Sequence, residues 1–159
     1  KSAPSHENTN VKALPLKGLI PGMAVHYARC CHPLPGDQII GIVTSGKGVT
    51  VHVSDCATLE AFSHTPERWL DVDWEEKSLE RRVGRVRITL QNSPGALGAV
   101  SNTIGRQGGN ISNLRFSSRA EDFFELIVDI EVDSLDHLAI IIAALRADSV
   151  ITTIEREGA

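Results

Sequence analysis

The chain has little of what marks membrane, disulfide-rich or strongly cationic proteins. Its longest apolar run, from Leu138 to Leu145, falls far short of the roughly 20 residues that a membrane-spanning helix needs. Three cysteines are an odd and small number for a disulfide framework, so we expect a reducing compartment and a cytoplasmic protein. A net charge of −4 does not support a dominant electrostatic attraction to nucleic acid.

The composition is otherwise that of a folded protein, with 159 residues of which 42% are hydrophobic and 23% charged. This length suits one ordinary domain or two small ones. The chain begins with Lys1 rather than Met, so we expect a piece of a longer protein. Changes in composition divide it into a linker at residues 1–22, a first domain at 23–74, a charged linker at 75–82 and a second domain at 83–157.

The first domain is predicted to be small and rich in β-strands. Branched and alternating residues predict strands at residues 25–27, 38–44, 49–53 and 69–74. A proline- and glycine-rich turn is expected at residues 33–37, and a short helix at 56–62, capped by Ser54 or Asp55. Because about 50 residues enclose little core, this domain is expected to need a metal or a neighbouring domain for stability.

The second domain has strands and helices in the order β-α-β-β-α-β. Strands are predicted at residues 85–90, 111–117, 124–132 and 150–154, and helices follow Pro94 and Ser134. This order is the ferredoxin-like pattern, with a four-stranded antiparallel sheet and both helices on one face. We expect the strand at 111–117 to form a sheet edge, and Phe123 and Ile127 to lie on the face away from the helices, where either a partner chain or another domain of the longer protein covers them. The fold class is therefore α+β.

Three thiols and one imidazole give the first domain metal-binding chemistry. Cys30, Cys31, His52 and Cys56 are ligand types of tetrahedral zinc. Neighbouring strand residues point to opposite faces, so Cys30 and Cys31 can bind one metal only if the backbone turns there, for which the turn at 33–36 gives an opportunity. The residues alone leave three interpretations open: a zinc site, two buried thiols beside a surface histidine, or a vicinal redox pair.

A second set of residues, at the two ends of the first helix of the second domain, suits a small zwitterionic ligand. The N–H groups at a helix N-terminus can bind a carboxylate, and a glycine lets a ligand approach the backbone closely. Amide oxygens can bind an ammonium group, and apolar residues can contact an aliphatic side chain. The candidates are Asn92, Ser93, Pro94, Gly95, Ala96, Leu97, Gly109, Asn110 and Ile111. An ordinary turn and an ordinary helix stop would use the same residues, so both interpretations stay open.

A resemblance to RelA/SpoT-type stringent-response proteins begins at the sequence YARCCHPLPGD, residues 27–37, and continues to Cys56. In that family this segment is called the zinc-finger or ribosome-intersubunit domain, and the positions matching its zinc ligands are Cys30, Cys31, His52 and Cys56. The resemblance implies contact with ribosomal RNA near the aminoacyl-tRNA site. Lysine and arginine balance aspartate over residues 23–56, so such contact would depend on shape and stacking more than on charge.

The motif NSPGAL at residues 92–97, with GGNI at 108–111, resembles an ACT domain, the small-ligand regulatory module that follows the cysteine domain in the same family. The resemblance implies side-by-side homodimers in which Asn110 of one chain lies near Asn92 of the other. It also implies the C-terminal regulatory region of a bifunctional (p)ppGpp synthetase/hydrolase. Neither catalytic domain is represented in these residues, so this chain is not expected to be an enzyme.

Three functions are compatible with these expectations. The ACT domain binds valine, isoleucine or leucine and modulates distant catalytic domains, favouring (p)ppGpp hydrolysis. Alternatively, both domains dock on ribosomal RNA and tRNA and sense starvation without a small ligand. In the third, the chain is only a dimerisation element. A ligand titration and a ribosome pull-down distinguish the three.

Overall fold

A computed structural model of the protein describes residues 16–19, 22–44, 46, 48–75 and 80–158. The first 15 residues of the predicted linker lie outside this part of the chain, as do residues 76–79 of the charged linker. No helix in the described ranges is both long enough and apolar enough to cross a membrane.

The first domain consists of short strands that form two small sheets. Its strands are β1 (Leu16–Lys17), β2 (Val25–Tyr27), β3 (Ile39–Thr44), β4 (Gly48–Val53), β5 (Trp69–Leu70) and β6 (Asp73–Trp74). The larger sheet has the order β2-β4-β3-β5, and β1 pairs with β6 in a separate two-stranded sheet. Two 3-10 helices, Ala57–Phe62 and Pro66–Arg68, connect β4 to β5.

Three local predictions for this domain differ from the structure. Leu16, predicted to be linker, is buried against the core of the domain and begins β1. The helix predicted at 56–62 is a 3-10 helix, in which Leu59 N–H donates to Cys56 O at 3.0 Å, and both of these residues are buried. Burial at a spacing of three residues matches the three residues per turn of a 3-10 helix. The strand predicted at 69–74 is interrupted at Asp71 and Val72, because its two halves pair with different strands.

The second domain confirms the predicted β-α-β-β-α-β order. Its elements are β7 (Arg82–Gln91), α1 (Ala96–Arg106), β8 (Asn110–Arg119), β9 (Phe123–Val132), α2 (Leu135–Arg146) and β10 (Ile151–Arg156). The sheet order is β10-β7-β9-β8 and all pairs are antiparallel, so β8 forms a sheet edge as predicted. Strand β8 is longer than the predicted 111–117 and extends to Arg119.

One face of β9 packs against the two helices, and the other face points away from them. Leu126, Val128 and Ile130 are fully buried in one cluster with residues of both helices, which confirms that the helices share one face. On the other face Phe123 is 44% exposed, whereas Ile127 is only 2% exposed. Ile127 therefore needs no partner chain to cover it. Its neighbours in register are Arg87 of β7 and Arg115 of β8, whose long aliphatic stems can cover apolar surface.

The two domains share part of one core. Leu34, in the turn of the cysteine domain, is fully buried and belongs to the hydrophobic cluster of the second domain. Beside it, Leu135 N–H at the start of α2 donates to Pro35 O at 2.8 Å. The Arg156 guanidinium, at the end of β10, donates to both carboxylate oxygens of Asp37, at 2.8 and 2.7 Å. The predicted turn thus joins the two domains.

Candidate functional site

The four predicted metal-binding side chains converge in the first domain. Their ligand atoms all lie within 4.8 Å of one another. Cys30 Sγ is 3.4 Å from His52 Nδ1 and 3.5 Å from Cys56 Sγ, and Cys31 Sγ is 4.0 Å from His52 Nδ1. Thiolates bound to tetrahedral zinc at ~2.3 Å stand about 3.8 Å apart. These four residues can therefore hold one metal ion.

Adjacent cysteines reach the same point because the backbone turns directly after β2. His32 N–H donates to Ala28 O at 3.0 Å, which closes a turn over residues 29–31. His32 itself has a φ of 46°, in the left-handed region that non-glycine residues seldom occupy. Cys30 and Cys31 were predicted to reach one metal only if the backbone turns there. The backbone does turn, but at residues 29–31 and not at residues 33–36.

Strand β4 and the following 3-10 helix supply the other two side chains. His52 is 5% exposed and lies between the buried residues Val51 and Val53. Val53 N–H donates to Cys31 Sγ at 3.3 Å, which gives this thiol a backbone partner of the kind that stabilises metal-bound sulfur. Cys56 occupies the N-cap position of the 3-10 helix Ala57–Phe62. The cluster is therefore fixed by hydrogen-bonded backbone on both sides.

Burial and hydrogen bonds act on the protonation of Cys31, His52 and Cys56. Burial raises the pKa of the Cys31 thiol to about 12 and lowers the pKa of His52, so the ring is neutral at physiological pH. Burial also opposes ionisation of Cys56, but hydrogen bonds from Thr58 and from the other thiols outweigh it and lower the pKa of Cys56. A neutral imidazole is the form that binds a metal, and a metal that binds Cys31 must displace a proton.

The predicted ligand segment at 92–97 connects β7 to α1. Asn92 N–H donates to Asp122 O at 2.8 Å and its Nδ2 donates to Ala120 O at 3.0 Å. These bonds hold the segment against the turn between β8 and β9. Gly95 is the N-cap of α1 with a φ of 82°, a conformation that glycine adopts without strain. Having no side chain, it leaves the start of the helix open.

The first turn of α1 has N–H groups that a ligand can use. Ala96 N–H donates to Ser93 O and Ala99 N–H donates to Gly95 O. Within the described part of the chain, the N–H groups of the intervening Leu97 and Gly98 have no hydrogen-bond partner. The Leu97 side chain is 38% exposed beside them. Donor groups and an apolar surface therefore lie together at this end of the helix.

The second ligand segment, 109–111, lies at the other end of α1. Gly109 packs so closely that an added Cβ would lie 2.8 Å from the Ile141 side chain. Asn110 begins β8 and its Nδ2 donates to Glu131 Oε2 at 3.2 Å. Ile111 is partly buried and packs against the core of its own domain. Of this segment, Asn110 is the residue with an exposed polar side chain.

Asn92 and Asn110 do not meet within one chain. Asn92 is bonded to the residue before β9, whereas Asn110 pairs with Glu131 near the end of that strand. The eight residue-to-residue steps from Phe123 to Glu131 span roughly 27 Å of extended chain. A single copy therefore presents the two halves of the predicted ligand site at opposite ends of β8 and β9.

Two basic residues that sequence reasoning did not select hold the loop before Asn110. His137 of α2 accepts a hydrogen bond from Asp133 N–H at 3.0 Å through Nδ1 and makes a second bond of 2.6 Å from Nε2 to Gln107 O. Arg81 donates to Gly108 O at 2.6 Å and to Asp133 Oδ1 at 3.0 Å. Both acceptors in the loop are backbone carbonyls, so the amino-acid pattern carries no signal for these contacts.

Comparisons with known proteins agree with both domains. Residues 14–75 match the family model of the RelA/SpoT RIS domain, and residues 80–156 match an ACT domain. The GTP pyrophosphokinase rsh of Brucella abortus (strain 2308) is 35% identical over 147 residues, 91% of this chain and 20% of that protein. The bifunctional (p)ppGpp synthase/hydrolase SpoT of Escherichia coli (strain K12) is 28% identical over 133 residues, 84% of this chain and 19% of that protein. The ACT domain from a GTP pyrophosphokinase of Chlorobium tepidum, a solved structure, is 21% identical, covers 48% of this chain and 99% of that chain, and has a TM-score of 0.43.

The fold and the cysteine cluster define a regulatory protein region in which a RIS domain is followed by an ACT domain. The chain belongs to the RelA/SpoT family, as the resemblance of residues 27–56 and of the ACT motif predicts. It spans about a fifth of the length of the curated relatives it matches.

Proposed function

We propose that the ACT domain binds a branched-chain amino acid, valine, isoleucine or leucine, at a site shared by two copies of the chain. One copy contributes residues 92–97, with the free N–H groups of α1 for the carboxylate and Leu97 for the aliphatic side chain. The second copy contributes Asn110, whose amide oxygen accepts from the ammonium group. The separation of Asn92 from Asn110 in one chain is the observation that supports a shared site.

Edge strand β8 gives the geometry for sharing. Among the residues that the structure describes, β8 pairs only with β9, which leaves its other side available to a second copy. When two β8 strands pair antiparallel about a two-fold axis, the start of one lies beside the end of the other. Asn110 then approaches the partner's turn between β8 and β9, to which Asn92 of the partner subunit is bonded.

An exposed aromatic residue on the edge strand supports such a dimer. Phe116 of β8 is 42% exposed. The Phe116 ring packs on Phe124 at 5.4 Å between centroids, and the Arg119 guanidinium lies 4.7 Å from its centre. Large apolar groups at an open strand edge are typical of a surface that pairs with another chain.

A mixing experiment tests the shared site. Asn92→Ala and Asn110→Ala should each abolish amino acid binding in calorimetry, whereas Asn102→Ala, an exposed asparagine of α1, should leave it unchanged. When the two inactive variants are mixed and exchange subunits, heterodimers have one intact site, so about a quarter of all sites should bind again. If mass spectrometry verifies that the subunits have exchanged and no binding is recovered, a site built across the dimer is contradicted.

In the longer protein we propose that amino acid binding modulates the distant catalytic domains and favours (p)ppGpp hydrolysis. A ligand shifts such an equilibrium only by its difference in affinity for the two arrangements. The test is the ratio of (p)ppGpp hydrolysis to synthesis in the full-length protein, with and without valine. Asn92→Ala should remove the response to valine while leaving both basal rates unchanged.

The second candidate function is docking on ribosomal RNA and tRNA, in which the cytoplasmic protein senses starvation without a small ligand. The cysteine domain offers an exposed Arg29, an exposed His26 on edge strand β2, and Trp69, which is 38% exposed. Cationic, polar and aromatic groups of this kind contact RNA by stacking and hydrogen bonding. In a ribosome pull-down, Trp69→Ala should weaken retention and Asn92→Ala should not.

For the cysteine cluster we propose zinc as the metal. Three thiols and one imidazole, of which Cys31, His52 and Cys56 are buried and Cys30 is exposed, are a ligand set that zinc prefers, and a site with four protein ligands contributes to folding. Elemental analysis of untagged protein tests this. About one equivalent of zinc per chain is expected, and less than about a tenth of an equivalent in protein with free thiols would contradict the site.

A further inference from the structure

The turn at residues 32–37 of the cysteine domain is in direct contact with the ACT domain, and we call it the docking turn. Leu34 is buried in the ACT core beside Gly84, where a Cβ on Gly84 would lie 3.2 Å from Leu34 Cδ1. The Pro35 carbonyl accepts from the first N–H of α2. The docking turn therefore contacts the start of β7 and the start of α2 together.

An ion pair also holds the docking turn against the ACT domain. The ion pair between Asp37 and Arg156 is bidentate, and the two side chains are only 6% and 14% exposed. Asp37 Oδ2 also accepts from Leu34 N–H at 2.7 Å, and Arg156 Nη2 donates to His32 O at 3.1 Å. One guanidinium of β10 thus binds both ends of the docking turn.

The docking turn continues directly from two of the four cluster residues. Cys30 and Cys31 precede His32 without an intervening residue, and the His32 carbonyl is the one that Arg156 holds. After β10 the chain reaches Gly158, which packs against the backbone of Cys30 so closely that a side chain there would clash with the Cys30 carbonyl. The end of the ACT domain therefore contacts both the cysteine pair and the turn that follows it.

Two buried nitrogen atoms at this contact destabilise it. His32 Nε2 and Arg156 Nε are buried and have no hydrogen-bond partner among the residues that the structure describes. Buried polar atoms without partners destabilise an arrangement. These two atoms therefore destabilise the contact between the docking turn and the ACT domain. A group that binds Cys30 and Cys31 would help to stabilise this contact.

We propose that the docking turn couples the cysteine cluster to the ACT domain. A metal bound by Cys30 and Cys31 stabilises the docked ACT domain, and the docked ACT domain holds the two cysteines ready for the metal. Such coupling is reciprocal, so a change at Arg156 must alter metal affinity although this residue is not a ligand. The proposal rests on the metal site proposed above, and it adds that metal occupancy is transmitted to α2 and β10.

Three single substitutions in the whole chain test the coupling. Arg156→Gln and Asp37→Asn break the ion pair from either side. Arg146→Gln is the matched control, because Arg146 is an arginine of the same domain whose guanidinium donates to Ile154 O within the ACT domain. Zinc affinity is measured by competition with a chromophoric chelator, and the cysteine domain and ACT domain are checked for folding by circular dichroism.

Zinc affinity should fall about tenfold in Arg156→Gln and Asp37→Asn, the size of effect that groups behind metal ligands have, and should stay unchanged in Arg146→Gln. In the wild type, zinc should slow hydrogen exchange in α2 and β10, and in Arg156→Gln this slowing should be lost. Equal zinc affinity in all four proteins would overturn the coupling.

A second readout keeps the proposal testable when no zinc binds. If the wild type takes up no zinc, the proposed metal site is wrong, and the coupling is then measured by thiol labelling of metal-free protein. Cys31 is fully buried and should label about tenfold faster in Arg156→Gln than in Arg146→Gln, because the docking turn opens more often. Equal labelling rates would overturn the proposal by themselves.

Discussion

The Arg82 guanidinium lies 3.8 Å from the centre of the Tyr27 ring, and its Nη2 donates to the Tyr27 hydroxyl at 2.8 Å. Arg82 begins the first strand of the ACT domain, whereas Tyr27 ends β2 of the cysteine domain. Tyr27 also stacks on Trp74, with 6.0 Å between ring centroids and 6° between planes. A cation, two rings and a hydrogen bond therefore form a further contact between the domains, apart from the docking turn.

Substitutions of Tyr27 separate the ring from the hydroxyl. Tyr27→Phe keeps the stacking and the cation–π contact and loses one hydrogen bond, so it should cost about 1 kcal/mol of unfolding free energy. Tyr27→Leu also loses both ring contacts and should cost about 2–3 kcal/mol. Urea unfolding measures both values. Equal losses in the two variants would show that the ring contacts contribute nothing.

Gly84 is a position where the packing between domains has no spare room. A Cβ there would lie 2.9 Å from Leu138 Cδ2 and 3.2 Å from Leu34 Cδ1, so Gly84→Ala should destabilise the protein by about 1–3 kcal/mol. Gly105→Ala is the matched control, since Gly105 lies in α1 with open space around it, and it should be neutral or stabilising by up to about 1 kcal/mol.

The same position tests whether Leu34 belongs to the ACT core. Leu34→Ala alone should cost about 2–5 kcal/mol because it leaves a cavity. In the double variant with Gly84→Ala, the new methyl group occupies part of that cavity, and the total loss should be smaller than the sum of the two. Strict additivity in thermal or urea unfolding would mean that the two side chains do not share one space.

Asp129 makes the stability of the protein depend on pH in the acidic range. Hydrogen bonds from Arg85, at 2.6 and 3.0 Å, hold the pKa of Asp129 below its usual range against the opposing effect of burial, and the charge of Arg85 adds to the lowering. Because the folded-state pKa is lowered, this contribution is complete above the unfolded-state pKa of about 3.9 and is lost as the pH falls through the folded-state value.

The variant Asp129→Asn isolates this pair. At pH 7 it should be less stable than the wild type by about 2 kcal/mol, the range of hydrogen bonds to charged groups. The difference should stay constant from about pH 6 to 5 and shrink below about pH 4, because the wild-type carboxyl group becomes neutral there too. A difference that grows as the pH falls would contradict this assignment.

Sequence periodicity was enough to predict the ACT fold, because β7 and β9 alternate apolar and polar residues and each helix has apolar residues at helical spacing. The four cluster residues were predictable from ligand chemistry and from the family resemblance. The contact of the predicted turn with the ACT domain was not, since Leu34 sits between two prolines, where no periodic pattern indicates a buried face. The placement of Asn92 and Asn110 at opposite ends of α1 was predictable, whereas the bonds of Asn92 to the turn between β8 and β9 were not, because their acceptors are backbone carbonyls.

The most direct test of the proposed function is a calorimetric titration of this chain with the proteinogenic amino acids, beginning with valine, isoleucine and leucine. The account predicts saturable heat with these three alone, two sites per dimer, and no heat in Asn92→Ala or Asn110→Ala. A site of ~10 μM should also add roughly 2.7 kcal/mol of stability at millimolar ligand. Absence of both heat and thermal stabilisation at that concentration would contradict amino acid sensing and favour the ribosome-docking function.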